Sequence, residues 1–548
     1  MNTLWRWLSR ASPALFAIPV LLMLVGLGMS LKMFPLYSGS GLYNVDASYA
    51  YLFNGLLLLD GHAPYQTDHP GTPLQVLIAA LVYLQWGYLR LVEPVNADVV
   101  VAVMADPERY LLFLSRALLA LNGLALWFLG KKVYESTNSV SLATLCQCAL
   151  LSLGLHGTKL LYPAPEALVA CLAVWLIAVL SPLIFQRPEE APRNQTKIAL
   201  TAGLIFGLGF AVKLTFLPMA GLFLLFKPWR LKMLAVLVAL MSWCVGIAPM
   251  AGKLPELWMR AYNMLTHTGK WGEGPKGLID TAQLSGNYFQ LRNEYPFFYI
   301  AIVVFAAYLL YAGLRRLCVG YKTESNLSAS RAALKGVRID RPLAILLLVC
   351  VAQTLIVLKH FGLHYMIPAL PLAFVGAALL LQVLLKNFQQ YNLAIRATVT
   401  LGMASMLVQS VYTTFQELRS ERVQNNRSVQ QIQKELAQYP DRLVIGSYGC
   451  SLPQCGLLFG IEFAPAIDKK IAPFLANFYG FNVWNGLLLI EGHGFYPLTT
   501  LQPILASQRP VFLVTQIDFP ALDLFKKELI LTARDQKLYK ITGLTRTP

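Results

Sequence analysis

"TPLQVLIAALVYLQWGYL", residues 72–89, is long and apolar enough to be read as a membrane span, and whether it is counted decides the topology of everything after it. Runs of about 17 to 25 apolar residues qualify as spans, and the others fall near 12–31, 110–130, 140–159, 165–185, 198–212, 215–226, 231–250, 295–314, 342–359, 365–385 and 396–415. With residues 72–89 left out and the N-terminus in the cytoplasm, the positive charges sort cleanly. Lys131 and Lys132, "RPEEAPRNQTK", "KPWRLK", "RRLCVGYKTESNLSASRAALKGVRIDR" and "KNFQQYNLAIR" all fall on the cytoplasmic side, as the positive-inside bias requires. Counting the run would invert every one of these loops. It is therefore laid in or against the outer face as a juxtamembrane helix. That gives about eleven spans, with 32–109, 251–294 and everything after about 416 outside.

Composition agrees. The 548 residues are 56% apolar and 13% charged, against roughly 25% charged in an average soluble protein, so the chain reads as a mostly α-helical, polytopic membrane protein. Its net charge of +17 sits in small clusters between apolar runs. That is the pattern of cytoplasmic loops rather than of a nucleic-acid surface. The first run follows "RWLSR" without a small-residue cleavage site and is read as a retained helix. The short pieces at 198–212 and 215–226 meet at "AVKLTFLP", as tilted segments or as a hairpin with Lys213 at its tip.

The tail is different material. After 1–415, residues 416–548 carry more charge and show short strand-like runs at "RLVIGS", "GLLLI", "PVFLVT" and "ELILTA", with "KLYKITG" returning after a polar "RDQ" turn. They predict a small extracytoplasmic α/β domain. Its Cys450 and Cys455, in "CSLPQC", would pair in an oxidising compartment or stand as two free thiols.

Ionisable groups gather at the outer face. "NVDASYAYLFNGLLLLDGHAPYQTDHPGTP", residues 44–73, carries three aspartates and two histidines, among them Asp46, Asp68 and His69. Asp46 opens a stripe of Tyr49, Phe53 and Leu57, which a plain helix N-cap would explain. Asp68 would build an Asx-turn before His69-Pro70. Glu166 follows "YPAP" at the outer start of a span, where a carboxylate complements the helix dipole. Arg116 lies roughly two turns inside the second span, where a guanidinium needs a partner. Lys213 and Lys359 end spans on the outside, and "KHFGLHYMIPALP", 359–371, adds His360, His364 and Tyr365. Snorkelling accounts for one terminal lysine. Several cations and carboxylates on one face point to an anionic, membrane-borne substrate and a proton transfer.

The order of these motifs resembles the GT-C superfamily of integral-membrane glycosyltransferases, in the branch holding protein O-mannosyltransferases, lipid A aminoarabinose transferase and RgtA-like enzymes. The resemblance covers residues 10 to about 385. It rests on the long first external loop with its early acidic residue, the Gly-x-x-Pro-Tyr turn, the His-Pro before the juxtamembrane helix and Arg116. "YPAPEALVACLAVWLIAVL", "GLIFGLGFAVKLTFLPMAGLFLL" and "HYMIPALPLAF" resemble three later elements. Three positions depart from the pattern: Ala47 follows Asp46 where a second acid is usual, Gly71 stands for a proline, and His364 for an arginine.

The resemblance implies a GT-C-like arrangement of spans in a bacterial inner membrane and a hexosyl- or pentosyltransferase. Its donor would be a sugar on polyprenyl phosphate, and its acceptor a lipid, glycan or protein at the outer face. Asp46 would act as general base, with Asp68, His69 and Glu166 in the catalytic set; Arg116, Lys213, Lys359, His364 and Tyr365 would hold the donor phosphate. A divalent cation between Asp46 and Glu166 is open. The alternatives are a transporter or lipid flippase, which would show repeats and midplane charges, and an inactive scaffold of the same fold.

Overall fold

The computed structural model describes the chain apart from residues 1–12, 34–44, 67–70, 94–96, 151–158, 186–193, 270–271, 273, 278–280, 323–339, most of 388–426, 448–449, 451, 484, 491–493, 517, 535 and 546–548. Its helices are α1 (Ala17–Met33), α2 (Val45–Leu59), α3 (Thr72–Val92), α4 (Val99–Ala105), α5 (Pro107–Thr137), α6 (Val140–Gln147) and α7 (Pro165–Phe185). They continue as α8 (Gln195–Val212), α9 (Trp229–Ile247), α10 (Leu254–Thr266), α11 (Thr281–Glu294), α12 (Pro296–Lys322), α13 (Asp340–Lys359) and α14 (Leu370–Asn387).

Local chemistry sets the ends that matter for the site. Asp106 caps α5 by accepting from the Arg109 N–H, and Pro107 follows as a first residue that lacks an N–H to satisfy. Pro165 opens α7 in the same way, with Glu166 in its first turn. Gly71 precedes α3 at φ 62°, and a Cβ there would lie 2.6 Å from the Tyr51 ring. Proline, fixed near φ −65°, does not fit this position. A glycine at this position is thus a requirement of this backbone.

By length and composition, seven helices among the described residues are able to cross a membrane: Thr72–Val92, Pro107–Thr137, Pro165–Phe185, Gln195–Val212, the run Trp229–Thr266, Pro296–Leu314 and Arg341–Lys359. The chain is a multi-pass, mostly helical membrane protein. Six of the seven coincide with expected spans, and four further runs form the shorter apolar helices Ala14–Gly28, Val140–Leu150, Leu214–Leu225 and Leu370–Leu385. The run at 396–415 lies largely outside the described residues. Residues 72–89 do form one helix, and it meets the length of a span; composition alone does not separate a span from a juxtamembrane helix. Residues 198–226 fold back as a hairpin. Lys213 is extended (φ −156°) between α8 and the 3-10 segment Leu214–Leu225, and Phe206 of α8 meets both Phe216 and Phe223 at ring-centroid distances of 5.8 and 5.3 Å.

The C-terminal sheet is built from β1 (Leu443–Ser447), β2 (Phe478–Asn482), β3 (Leu487–Ile490), β4 (Phe495–Tyr496), β5 (Val511–Thr515), β6 (Phe525–Ala533) and β7 (Gln536–Leu544). They lie in the order β4-β3-β2-β1-β5-β7-β6. β1 runs parallel to β2 and β5, and the remaining pairs are antiparallel. Between β1 and β2 stand α15 (Pro453–Glu462) and α16 (Asp468–Ile471). The central strands β1 and β5 are buried throughout, as parallel strands covered on both faces must be. Leu443 and Ile445 of β1 face one core with Phe481 and Leu513. Val444, between them, faces a second core that runs without a break into the apolar helices, through Leu457, Leu458 and Ile461 of α15 to Phe53 and Leu56 of α2.

Candidate functional site

Three chain segments converge at the first turn of α7. Lys213, at the hairpin tip, donates to Glu166 Oε1 at 2.5 Å, and both side chains are buried. His364 Nε2 stands 3.6 Å from the same oxygen. The Lys213 ammonium also lies over the Tyr365 ring, 4.5 Å from its centroid, and the His364 and Tyr365 rings are 4.3 Å apart. A carboxylate, an ammonium, an imidazole and a phenol ring thus stand together. Lys159, on the other side, sets its charge near Glu166 and its Nζ 5.8 Å from the Tyr162 ring.

The surroundings fix this arrangement from behind. Gln353, buried in α13, donates from one amide nitrogen to the Thr215 carbonyl at 3.1 Å and the Tyr365 carbonyl at 2.7 Å. It ties the backbone two residues past Lys213 to the backbone beside His364. The Tyr295 hydroxyl donates to the Leu363 carbonyl at 3.1 Å. Leu363–Met366, a single 3-10 turn, has no regular ladder of its own, so these two donors hold the carbonyls that its geometry leaves over.

The first loop reaches the same place. The Gly71 N–H donates to the Val212 carbonyl at 3.1 Å, one residue before Lys213, and the Thr72 hydroxyl contacts the Met250 sulfur at 3.1 Å. Asp68 and His69 precede that anchor by two or three residues and lie outside the described residues. Asp46 belongs to the first turn of α2; its side chain lies outside them too.

The other expected residues take different positions. Arg116 is half-buried within α5, and its Nε is enclosed without a hydrogen-bond partner among the described residues. Lys359 donates to the Leu265 carbonyl. Beside it, His360 is buried with Nδ1 2.9 Å from the Gly269 carbonyl and Nε2 2.6 Å from the Met264 carbonyl. Lys359 and His360 thus lie against carbonyls at and just past the end of α10, and the structure does not bring them onto Glu166. Cys450 and Cys455 are bonded to each other, with Cα atoms 6.1 Å apart.

Glu166 Oε1 already accepts from Lys213, whose ammonium occupies the place of a counter-charge, and the described residues contain no group of three His, Cys, Asp or Glu side chains able to hold a metal.

Sequence reading passed over two contributors. Gln353 gave no signal beyond being a polar residue in an apolar run. Lys470 reads as one of two surface lysines in "IDKK", yet it donates to Asp60 at 2.6 Å and Asp98 at 2.5 Å. Burial alone would raise the Asp98 carboxyl, and the Lys470 and Val100 donors bring it below the usual range instead.

No protein-family model matches the chain, and no curated protein sequence matches it. Among solved structures, it is similar to the crystal structure of ArnT from Cupriavidus metallidurans bound to undecaprenyl phosphate. The likeness covers 95% of this chain and 97% of that one, at 12% identity and a TM-score of 0.48. At that identity and score it carries no argument about what this chain does.

Proposed function

We propose that the chain is a GT-C-like membrane glycosyltransferase that transfers a hexosyl or pentosyl group from a polyprenyl-phosphate donor to a lipid, glycan or protein acceptor. On this reading residues 72–89 lie against the outer face, the N-terminus is cytoplasmic and the sheet domain is extracytoplasmic, in a bacterial inner membrane. The observation that carries the reading is the convergence of Lys213, His364 and Tyr365 on buried Glu166 beside the end of the first loop. A membrane interior tolerates such a set of ionisable groups where a charged ligand or a proton is handled.

The chemistry follows from the charges. Asp46 takes the proton from an acceptor hydroxyl as its oxygen bonds to the anomeric carbon. The bond from that carbon to the phosphate oxygen breaks, and the electron pair leaves with polyprenyl phosphate. Lys213 and His364 stabilise the charge that develops there. Arg116, whose enclosed Nε has no protein partner among the described residues, supplies a further cation for the phosphate. Glu166 holds Lys213 in place and sets its direction.

Purified protein given a polyprenyl-phosphate sugar and a membrane extract should release polyprenyl phosphate. Asp46→Asn keeps size and capping capacity but removes the proton acceptor, so release should fall by roughly 10²-fold or more with expression unchanged. An Asn variant as fast as wild type would sink the assignment of the base; a wild type that releases nothing from any donor would sink the function.

A further inference from the structure

The sheet domain has no role in the chemistry above, yet it packs against one helix of the first loop. Tyr49 and Phe53 lie one turn apart on α2 and are 1% and 0% exposed. What covers them is α15, through Gly456 and Gly460, also one turn apart. A Cβ at Gly456 would lie 2.8 Å from the Tyr49 ring, and one at Gly460 2.7 Å from the Phe53 ring. Neither position admits a side chain unless the facing ring or one of the two helices shifts. The far end of α2 is held separately: Lys470, in α16, donates to Asp60, just past the helix, and to Asp98, the cap of α4. Both hydrogen bonds raise the Lys470 ammonium above its ordinary value, the Asp60 bond most. Behind α15, the Cys450–Cys455 bond ties its first turn to the strand it leaves, with Cys455 Sγ against Gly446 of β1.

We infer that the sheet domain positions the catalytic loop. Gly456, Gly460 and Lys470 are positioning residues: they fix the axis of α2, and with it the turn that carries Asp46, relative to the Lys213–Glu166 pair. This rests on the glycosyltransferase reading for its chemistry and on the two contacts for its mechanics. The cations that hold the donor phosphate stand on α5, at the hairpin tip after α8 and in the 363–366 turn. Loosening α2 should therefore slow transfer without weakening donor binding.

The test uses the full chain. Gly460→Ala forces a methyl onto the Phe53 ring; kcat should fall roughly tenfold while donor KM stays within about twofold, because misplacement of a catalytic group by a fraction of an ångström acts on the transition state. Phe53→Leu combined with Gly460→Ala returns the space and should bring kcat back to within about threefold of wild type. Lys470→Met, away from the packed face, should lower kcat in the same direction, and exposed Lys469→Met should leave it unchanged. Hydrogen exchange of the α2 amides should rise in Gly460→Ala and Lys470→Met and return in the double variant. Unchanged α2 protection in both single variants, or a double variant no faster than Gly460→Ala, would overturn the inference. A wild type with no transfer activity would remove the function itself, and α2 exchange would still decide whether the sheet domain holds the helix.

Discussion

Glu166 and Lys213 are each buried with the other as partner, so the stability effect of changing either depends on the other. Removing one member of such a pair leaves an uncompensated charge and costs about 3–5 kcal/mol, whereas replacing both by neutral groups of similar size is often close to neutral. Glu166→Gln and Lys213→Met should each lower the thermal midpoint sharply. The double variant should recover most of that loss and none of the transfer activity, because the leaving phosphate has lost its cation. Thermal unfolding and polyprenyl-phosphate release, measured on the same preparations, separate the two effects. A double variant that transfers sugar at the wild-type rate would make the pair purely structural. At this scale the sequence was partly legible: Glu166, Lys213 and His364 announce themselves as charges at the ends of apolar runs. Gln353 does not, because its role is to donate to two backbone carbonyls, and a pattern of side-chain types carries no record of that.

Elements were legible where hydrophobic period and length agreed. The short runs that meet at Lys213 read as tilted segments or as a hairpin, and the extended backbone of Lys213 makes them a hairpin. β2 was missed: "FYGFN" places a glycine and an asparagine in a five-residue strand, and both lower strand propensity. Tertiary packing decides instead, since a Cβ at Gly480 would already sit 3.2 Å from Leu489 on β3. α15 shows a similar override at its last residue. Glu462 ends the helix, where the dipole disfavours a negative charge, and burial pushes its carboxyl up to about 7 from an ordinary 4.5. The folded-state value lies above the unfolded one. The neutral form's stability is therefore fully present below pH about 4.5 and is lost as pH rises through about 7. Glu462→Gln should leave the sheet domain's stability unchanged at pH 4 and raise it at pH 8, by at most about 3 kcal/mol for a shift of this size. Stabilisation equal at both pH values would mean that the carboxyl is not held neutral by the fold.

At the scale of the whole molecule, topology hangs on residues 72–89. Their helix is long enough to cross, and only the charge of the later loops argues that it does not. The docking of α15 on α2 and of Lys470 on Asp60 and Asp98 adds a constraint that sequence did not contain. The sheet domain, the end of α2 and the start of α4 must lie on one side of the membrane, because they touch. If α3 crossed, Asp60 before it and Asp98 after it would face opposite compartments, and one lysine would have to reach both. That geometry is excluded by the 2.6 and 2.5 Å contacts, and it supports α3 as a helix that returns to the side it left. Single cysteines in a Cys-free variant test this directly. At residue 469, which is exposed and avoids the Lys470 contacts, and at residues 68 and 270, a membrane-impermeant thiol reagent should label intact cells; at residue 325 it should label only after permeabilisation. Labelling at 325 in intact cells would reverse the orientation. Labelling at 68 without labelling at 469 would separate two segments that the structure holds together, and would refute the docked sheet domain along with the juxtamembrane reading of α3.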